Sequence, residues 1–194
     1  MTRIIGGAVG GRRLRTPGGD NTRPTSDRVR EAMFSTIDAR LGSLSGLRFL
    51  DLYAGSGAVG LEARSRGAGA VTLVEHDRRT AALIRDNVRT LGLTHVDVVA
   101  STVARALAHP PPAPYDLVFL DPPYVLPLVH VLEALDALRA RGWLADQALV
   151  VVERGTRDGE LSWPEGFAAV LSKKYGETTL WYGHAASPSR NDAV

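Results

Sequence analysis

A chain of 194 residues with a formal net charge of +2 and no cysteine is long enough for one domain that buries its own core. The absence of cysteine fits a reducing compartment and excludes thiolate chemistry, whether nucleophilic, redox or zinc-binding. The first residues, Met1-Thr2-Arg3-Ile4-Ile5, carry no apolar signal core, and no run reaches the roughly 18 apolar residues of a membrane span, so the chain reads as cytoplasmic.

The charge is unevenly spread. Residues 1–30 hold seven arginines against Asp20 and Asp27, a balance of +5, and the remainder balances at −3. A basic arm on a mildly acidic body suits a polyanion, and arginine at every basic position favours bidentate phosphate contacts. Within the arm, "RIIGGAVGGRRLRTP" pairs two β-prone runs around glycine-rich turns, which predicts a small hairpin ending at Pro17. The arm is expected over residues 1–22, the main domain over 23–184 and a disordered tail over 185–194.

After a Gly/Asp/Asn loop, Thr25 or Ser26 can cap a helix whose Val29, Met33, Ile37 and Leu41 repeat every four residues and form one apolar face. From residue 48 two periods alternate. Apolar runs at 48–53, 70–75, 95–100, 116–121 and 148–153 read as buried strands, and helical patterns at 57–66, 78–91, 102–108 and 127–140 lie between them. Such alternation specifies a doubly wound α/β fold with a parallel sheet. The end differs: residues 168–183 read as two strands joined by a tight turn near Gly176 and Glu177, an antiparallel hairpin.

Two motifs carry chemistry. Gly55-Ser56-Gly57-Ala58-Val59-Gly60 opens a helix after the first strand, a general device for nucleotides and anions but weak evidence alone. Glu75 ends the second strand, where an acid binds ribose hydroxyls. Asp51, four residues before Gly55, would repel a pyrophosphate, yet it could pair with the ammonium or sulfonium of S-adenosylmethionine, at least through water. The other reading of Asp51 is a strand-end carboxylate satisfied by backbone groups.

Asp121-Pro122-Pro123-Tyr124 follows the fourth strand, whose carboxyl end should face the glycine loop across the switch point of the sheet. A carboxylate and an adjacent carbonyl suit methyl transfer to an exocyclic amino nitrogen. The Asp121 carboxylate and the Pro122 carbonyl can take its two N–H bonds and localise a lone pair otherwise delocalised into the ring. Tyr124 offers a face for stacking an extruded base.

With these residues in view, "RIIGG…GRRL", "TRPTSDRVREAMF", "FLDLYAGSGAVGLEA", "VEHD" and "LVFLDPPY", in that order, resemble the RsmD family of small-subunit ribosomal RNA guanine-N2 methyltransferases over residues 3 to about 183. The resemblance implies a seven-stranded, Rossmann-like class I methyltransferase fold, S-adenosylmethionine as donor with no metal, and a guanine of 16S ribosomal RNA in the small ribosomal subunit as acceptor, with the enzyme acting as a monomer. By matched position it implies Asp51, Gly55, Gly57 and Glu75 as cofactor ligands and Asp121, Pro122 and Tyr124 as catalytic. Arg23, Thr25 and Arg28 become candidates for the methionine carboxylate or for RNA phosphate, and Arg12, Arg13 and Arg15 for RNA. Two places depart from the family pattern. Ser101-Thr102 stands where an acid or amide is common, so adenine falls to the Thr102 hydroxyl or a main-chain N–H. Ala8 and Gly10 stand where many relatives carry Lys, which removes part of the expected RNA contact.

The rivals are weaker. A DNA amino-methyltransferase that reads a sequence needs a recognition domain, and no segment here is long enough; the short arm better suits shaped RNA. A non-catalytic nucleic-acid-binding module conflicts with an intact Asp-Pro-Pro-Tyr, and an NAD oxidoreductase conflicts with Asp51.

Overall fold

The structure, a computed structural model, describes residues 2–18 and 26–186. After α1 (Asp27–Leu41) the chain alternates through β1 (Arg48–Leu52), α2 (Ala58–Ser65), β2 (Ala70–Glu75), α3 (Arg78–Leu91), β3 (Val96–Ala100), α4 (Val103–Ala106), β4 (Tyr115–Leu120), α5 (Leu128–Ala140) and β5 (Leu144–Gly155). A single 3-10 turn then leads to the hairpin of β6 (Phe167–Tyr175) and β7 (Thr178–Ala185). The seven strands lie in the order β3-β2-β1-β4-β5-β7-β6. Pairing is parallel through β5 and antiparallel for β7 and β6. The expected doubly wound sheet with a terminal hairpin is therefore the observed one. Because β1 connects outward to β2 yet lies beside β4, the carboxyl ends of β1 and β4 flank the switch point.

Two apolar layers hold the sheet. Met33, Phe34 and Ile37 of α1 pack with α2, Ile84 of α3 and inward residues such as Phe49 and Phe119 on one face. On the other, α4 and α5 cover Leu50, Val118 and Val150 with Val131, Leu135 and Leu138. The helix expected after residue 102 shrinks to one turn, with the Thr102 hydroxyl accepting from Arg105 N. Its fellow α1 is capped by Ser26, whose side chain accepts from Val29 N.

The arm pairs its two runs antiparallel, as its sequence suggests, but over a short ladder. Residues 2–18 form one antiparallel bridge, Arg3 with Arg13, flanked by Ile4 N to Arg12 O and Leu14 N to Thr2 O. Gly11 N also donates to Ile4 O, and beyond it the ladder ends because the next amides are claimed by α2. Ile5 N and Gly6 N donate to the Glu62 carboxylate, Ala8 N to Ser65 O, and Val9 N to Ser65 Oγ. Ile4 and Leu14 are buried against Ala58, Leu61 and Leu91. At Gly7, φ is +79° and a Cβ would stand 2.0 Å from Ser65 O, so only glycine permits this approach.

Arg30, counted with the basic arm, is no phosphate ligand. It is fully buried, with Nε 3.7 Å from Glu62 Oε2 and Nη2 3.1 Å from Asp27 Oδ1, and it also donates to Arg3 O.

Candidate active site

The glycine loop and Asp-Pro-Pro-Tyr face one cavity of about 630 Å³, lined among others by Asp51, Gly55, Glu75, Asp121, Pro122 and Tyr124. Asp121 N donates to Leu52 O at 3.3 Å, which ties the end of β4 to the end of β1. Pro122 is buried, and Tyr124 remains 58% exposed at the mouth. The side chain expected to stack a base is thus open to one.

The loop is shaped by its glycines and by two buried carboxylates. Gly57 caps α2 with φ +79°, and Gly60 lets the helix lie on the sheet, since a Cβ there would meet Leu73 Cδ2 at 2.8 Å. Gly55 has φ +55° and open space where a Cβ would be, so its backbone faces the cavity bare. Glu75 Oε2 accepts from Gly55 N at 2.9 Å, while Oε1 accepts from Asp77 N at 2.8 Å and lies 3.0 Å from His76 Nδ1. A carboxylate has about four acceptor sites, so Glu75 can hold the loop and still receive hydroxyls.

Asp51 is 1% exposed, and its Oδ2 accepts from Gly60 N at 2.8 Å. Burial pushes its pKa up from 3.8 to about 7; the Gly60 bond works against the shift and nearby Glu75 adds to it. Both sequence readings of Asp51 therefore meet here, because it is satisfied by backbone and also lines the cavity. The folded protein keeps a proton that the unfolded chain releases near pH 3.8. This group's contribution to stability is then largest below that value, falls as pH rises toward about 7, and is level above. Asp51→Asn keeps an acceptor for Gly60 and removes the titration. Urea unfolding at pH 5 and pH 8 should show the wild type losing about 3 kcal/mol more than the variant over that interval; parallel pH profiles would contradict the assignment.

Other predicted residues are placed differently. Thr102 does not line this cavity; it borders a neighbouring one of about 460 Å³ with Tyr53, His76, Ser101, Val103 and His130. Its hydroxyl is already the cap of α4. Arg12, Arg13, Arg15 and Arg28 are exposed, and Arg12 donates to Thr90 O at 2.9 Å. Arg23 and Thr25 lie outside the described residues.

Sequence reasoning overlooked Tyr53, Asn87, Thr16 and Pro17. Tyr53 lines both cavities with φ +64°, an unusual conformation for a bulky residue that turns the chain from β1 into the loop. Its phenol is shifted upward by burial. Asn87, 3% exposed on α3, accepts from Arg15 N at 3.0 Å and donates to Arg15 O at 2.9 Å. That paired bond places Thr16 and Pro17 in the cavity wall. A small amide on an otherwise apolar helix face was the available signal.

Among the described residues no group of three or more His, Asp or Glu side chains could hold a metal ion, and no helix is long and apolar enough to cross a membrane.

Comparison with known proteins decides the family. The family model described as conserved hypothetical protein 95 matches residues 2–184. Ribosomal RNA small subunit methyltransferase D of Escherichia coli strain K12 is 36% identical over 191 residues, covering 98% of this chain and 93% of that protein. The chain belongs to the ribosomal RNA small subunit methyltransferase D family. Its Haemophilus influenzae relative of the same name is 34% identical over 177 residues, covering 90% and 89% of the two chains. The solved structure of yhhF from Escherichia coli superposes with a TM-score of 0.85 at 34% identity, over 95% of this chain and 98% of that one. The protein is a methyltransferase.

Proposed function

We propose that the protein transfers a methyl group from S-adenosylmethionine to the exocyclic N2 amino group of a guanine in 16S ribosomal RNA, acting in the cytoplasm as a monomer on the small ribosomal subunit. The observation that carries this reading is the shared cavity, in which Asp121-Pro122-Pro123-Tyr124 stands across from a glycine loop underlain by Asp51. The names of the relatives support the RNA class.

The residues suit the donor. Gly55 leaves backbone open to a ligand, while Gly57, whose missing side chain faces Ile84 and Leu73, acts by turning the chain into α2; Glu75 offers acceptors for ribose hydroxyls, and the Asp51 carboxylate, ionised above about pH 7, favours a cation. The adjoining cavity, with Tyr53, Val103 and the Thr102 cap, is an apolar recess for adenine. When bound, S-adenosylmethionine supplies an electrophilic methyl group on sulfur. The carboxylate of Asp121 accepts one N–H of the guanine amine and the Pro122 carbonyl the other, and Asp121 is placed to take the proton released as the N–C bond forms. Pro122 and Pro123 fix φ and hold that carbonyl. Tyr124 stacks on the extruded base. Arg12, Arg13, Arg15 and Arg28 contact phosphate; Arg23 and Thr25, outside the described residues, are the candidates for the methionine carboxylate.

The test is transfer of a labelled methyl group to undermethylated small subunits, naked 16S RNA and duplex DNA in parallel. The expected product is N2-methylguanosine from RNA; label in DNA, or on another base or atom, contradicts the reading.

A further inference from the structure

The outer face of α3 is strongly and one-sidedly basic. The helix carries Arg78, Arg79, Arg85 and Arg89 against one acid, Asp86. Its buried side is Ala81, Ile84, Asn87 and Leu91. At 100° per residue, Arg78, Arg85 and Arg89 fall within about 40° of one another on the solvent-facing side, and the line runs about 16 Å along the axis. All three arginines are exposed. A helix face that only needs solvation mixes signs and gains from opposite charges four residues apart, whereas Arg85 and Arg89 set like charges at that spacing, at a cost to the helix.

The line is joined to the arm and to the active site at defined points. Arg12 donates to Thr90 O at the carboxyl end of α3, and Asn87 holds Arg15 by both main-chain groups. At the other end, Asp77 and Thr80 of the first turn line the cofactor cavity. Two side chains have local partners: Arg85 donates to Val98 O on the edge strand β3 through one nitrogen, and Arg89 pairs with Asp86. Each guanidinium has five donors, so these contacts orient the groups without exhausting them.

We propose that this face of α3 is a phosphate-binding track, on which Arg78, Arg85 and Arg89 extend the arm's Arg12 along the backbone of the ribosomal RNA that presents the target base. The inference rests on the RNA reading above. Guanidinium forks match phosphate geometry, and an RNA with one base in the crevice must lay its backbone on the surrounding surface.

The full chain carrying Arg85→Gln and Arg89→Gln tests it, by binding to 16S ribosomal RNA across a salt titration. The track predicts affinity about tenfold weaker at low salt and a slope of log K against log salt reduced by about 1.5, with unchanged affinity for S-adenosylhomocysteine. Arg78→Gln alone, at the other end of the line, should lower the slope by about 0.8. The control pair Arg157→Gln and Lys174→Gln, at exposed positions beyond the opposite part of the sheet, should leave the slope as in wild type. An unchanged slope in the α3 variants, or an equal fall in the control, overturns the track even where the enzyme methylates RNA, and leaves room for an acidic protein partner on this face. A protein that methylates no RNA yet shows the α3-dependent slope overturns the functional reading and keeps the track.

Discussion

Asp121→Ala is expected to lower methyl transfer by at least about 10²- to 10³-fold, the loss typical of one preorganised polar group aimed at charge that develops in the transition state. The affinity for S-adenosylhomocysteine should stay within a small factor. The separation follows from position: Asp121 stands after β4, while the glycine loop stands after β1 and Glu75 closes β2. Its N–H bond to Leu52 O is a main-chain contact that alanine retains. Single-turnover rates and calorimetric titration of the two proteins check both halves. Near-normal turnover would remove Asp121 from the chemistry, and a large loss of cofactor affinity would move it into the cofactor site.

Glu62→Ala should destabilise the protein by about 3–5 kcal/mol, read from denaturant unfolding. Glu62 is fully buried in the middle of α2. Its carboxylate accepts from Ile5 N at 2.7 Å, Gly6 N at 2.8 Å and Arg66 Nε at 2.7 Å, and it faces Arg30 Nε at 3.7 Å. A buried ion pair is not in itself a large gain over apolar packing, because desolvation opposes the attraction. Removing one member is different, since a buried guanidinium and two main-chain donors then lose their acceptor. Glu62→Gln, which keeps one acceptor oxygen, should cost less. The effect should reach the active site too: the same carboxylate seats the segment that runs on to Thr16 and Pro17 in the cavity wall, so cofactor affinity should fall in the alanine variant. A loss below about 1 kcal/mol would mean that the arm is held by its apolar contacts alone.

The sheet was legible in the sequence because buried parallel strands read as continuous apolar runs. The run at 70–75 and the helical pattern at 78–91 are the observed β2 and α3. The strand β5 begins earlier than its apolar run, at Leu144 rather than 148, because its first residues pair with β4 through an irregular register and Gln147 takes φ +56°. The arm pairs over a shorter stretch than its pattern suggests for a related reason. β-propensity around glycine turns predicts cross-strand pairing, but the competing acceptors sit more than 50 residues away on α2, and no local pattern announces them. Charge counting groups Arg30 with solvent-facing arginines because it is blind to burial. Glu62, its partner, lies in the run Leu61-Glu62-Ala63 that looks like an ordinary helix turn.

The site divides in the same way. Asp51, Glu75 and Asp121 stand at or near the carboxyl ends of their strands, so the sequence alone places them at one edge of the sheet, and the structure brings them to one cavity. Tyr53 and Asn87 act through a positive φ and a paired main-chain bond, neither of which has a spacing signature. Thr102 stands at the expected strand end, but its hydroxyl is engaged by the short helix that follows.

The central claim is that one crevice joins methyl donor and guanine amine, and it is tested most directly in cells by comparing 16S ribosomal RNA with and without the protein. Nucleoside mass spectrometry of RNA from a strain lacking it should show one N2-methylguanosine missing, restored by the wild-type chain and not by Asp121→Ala. An unaltered set of methylated nucleosides, or restoration by the variant, would contradict the account.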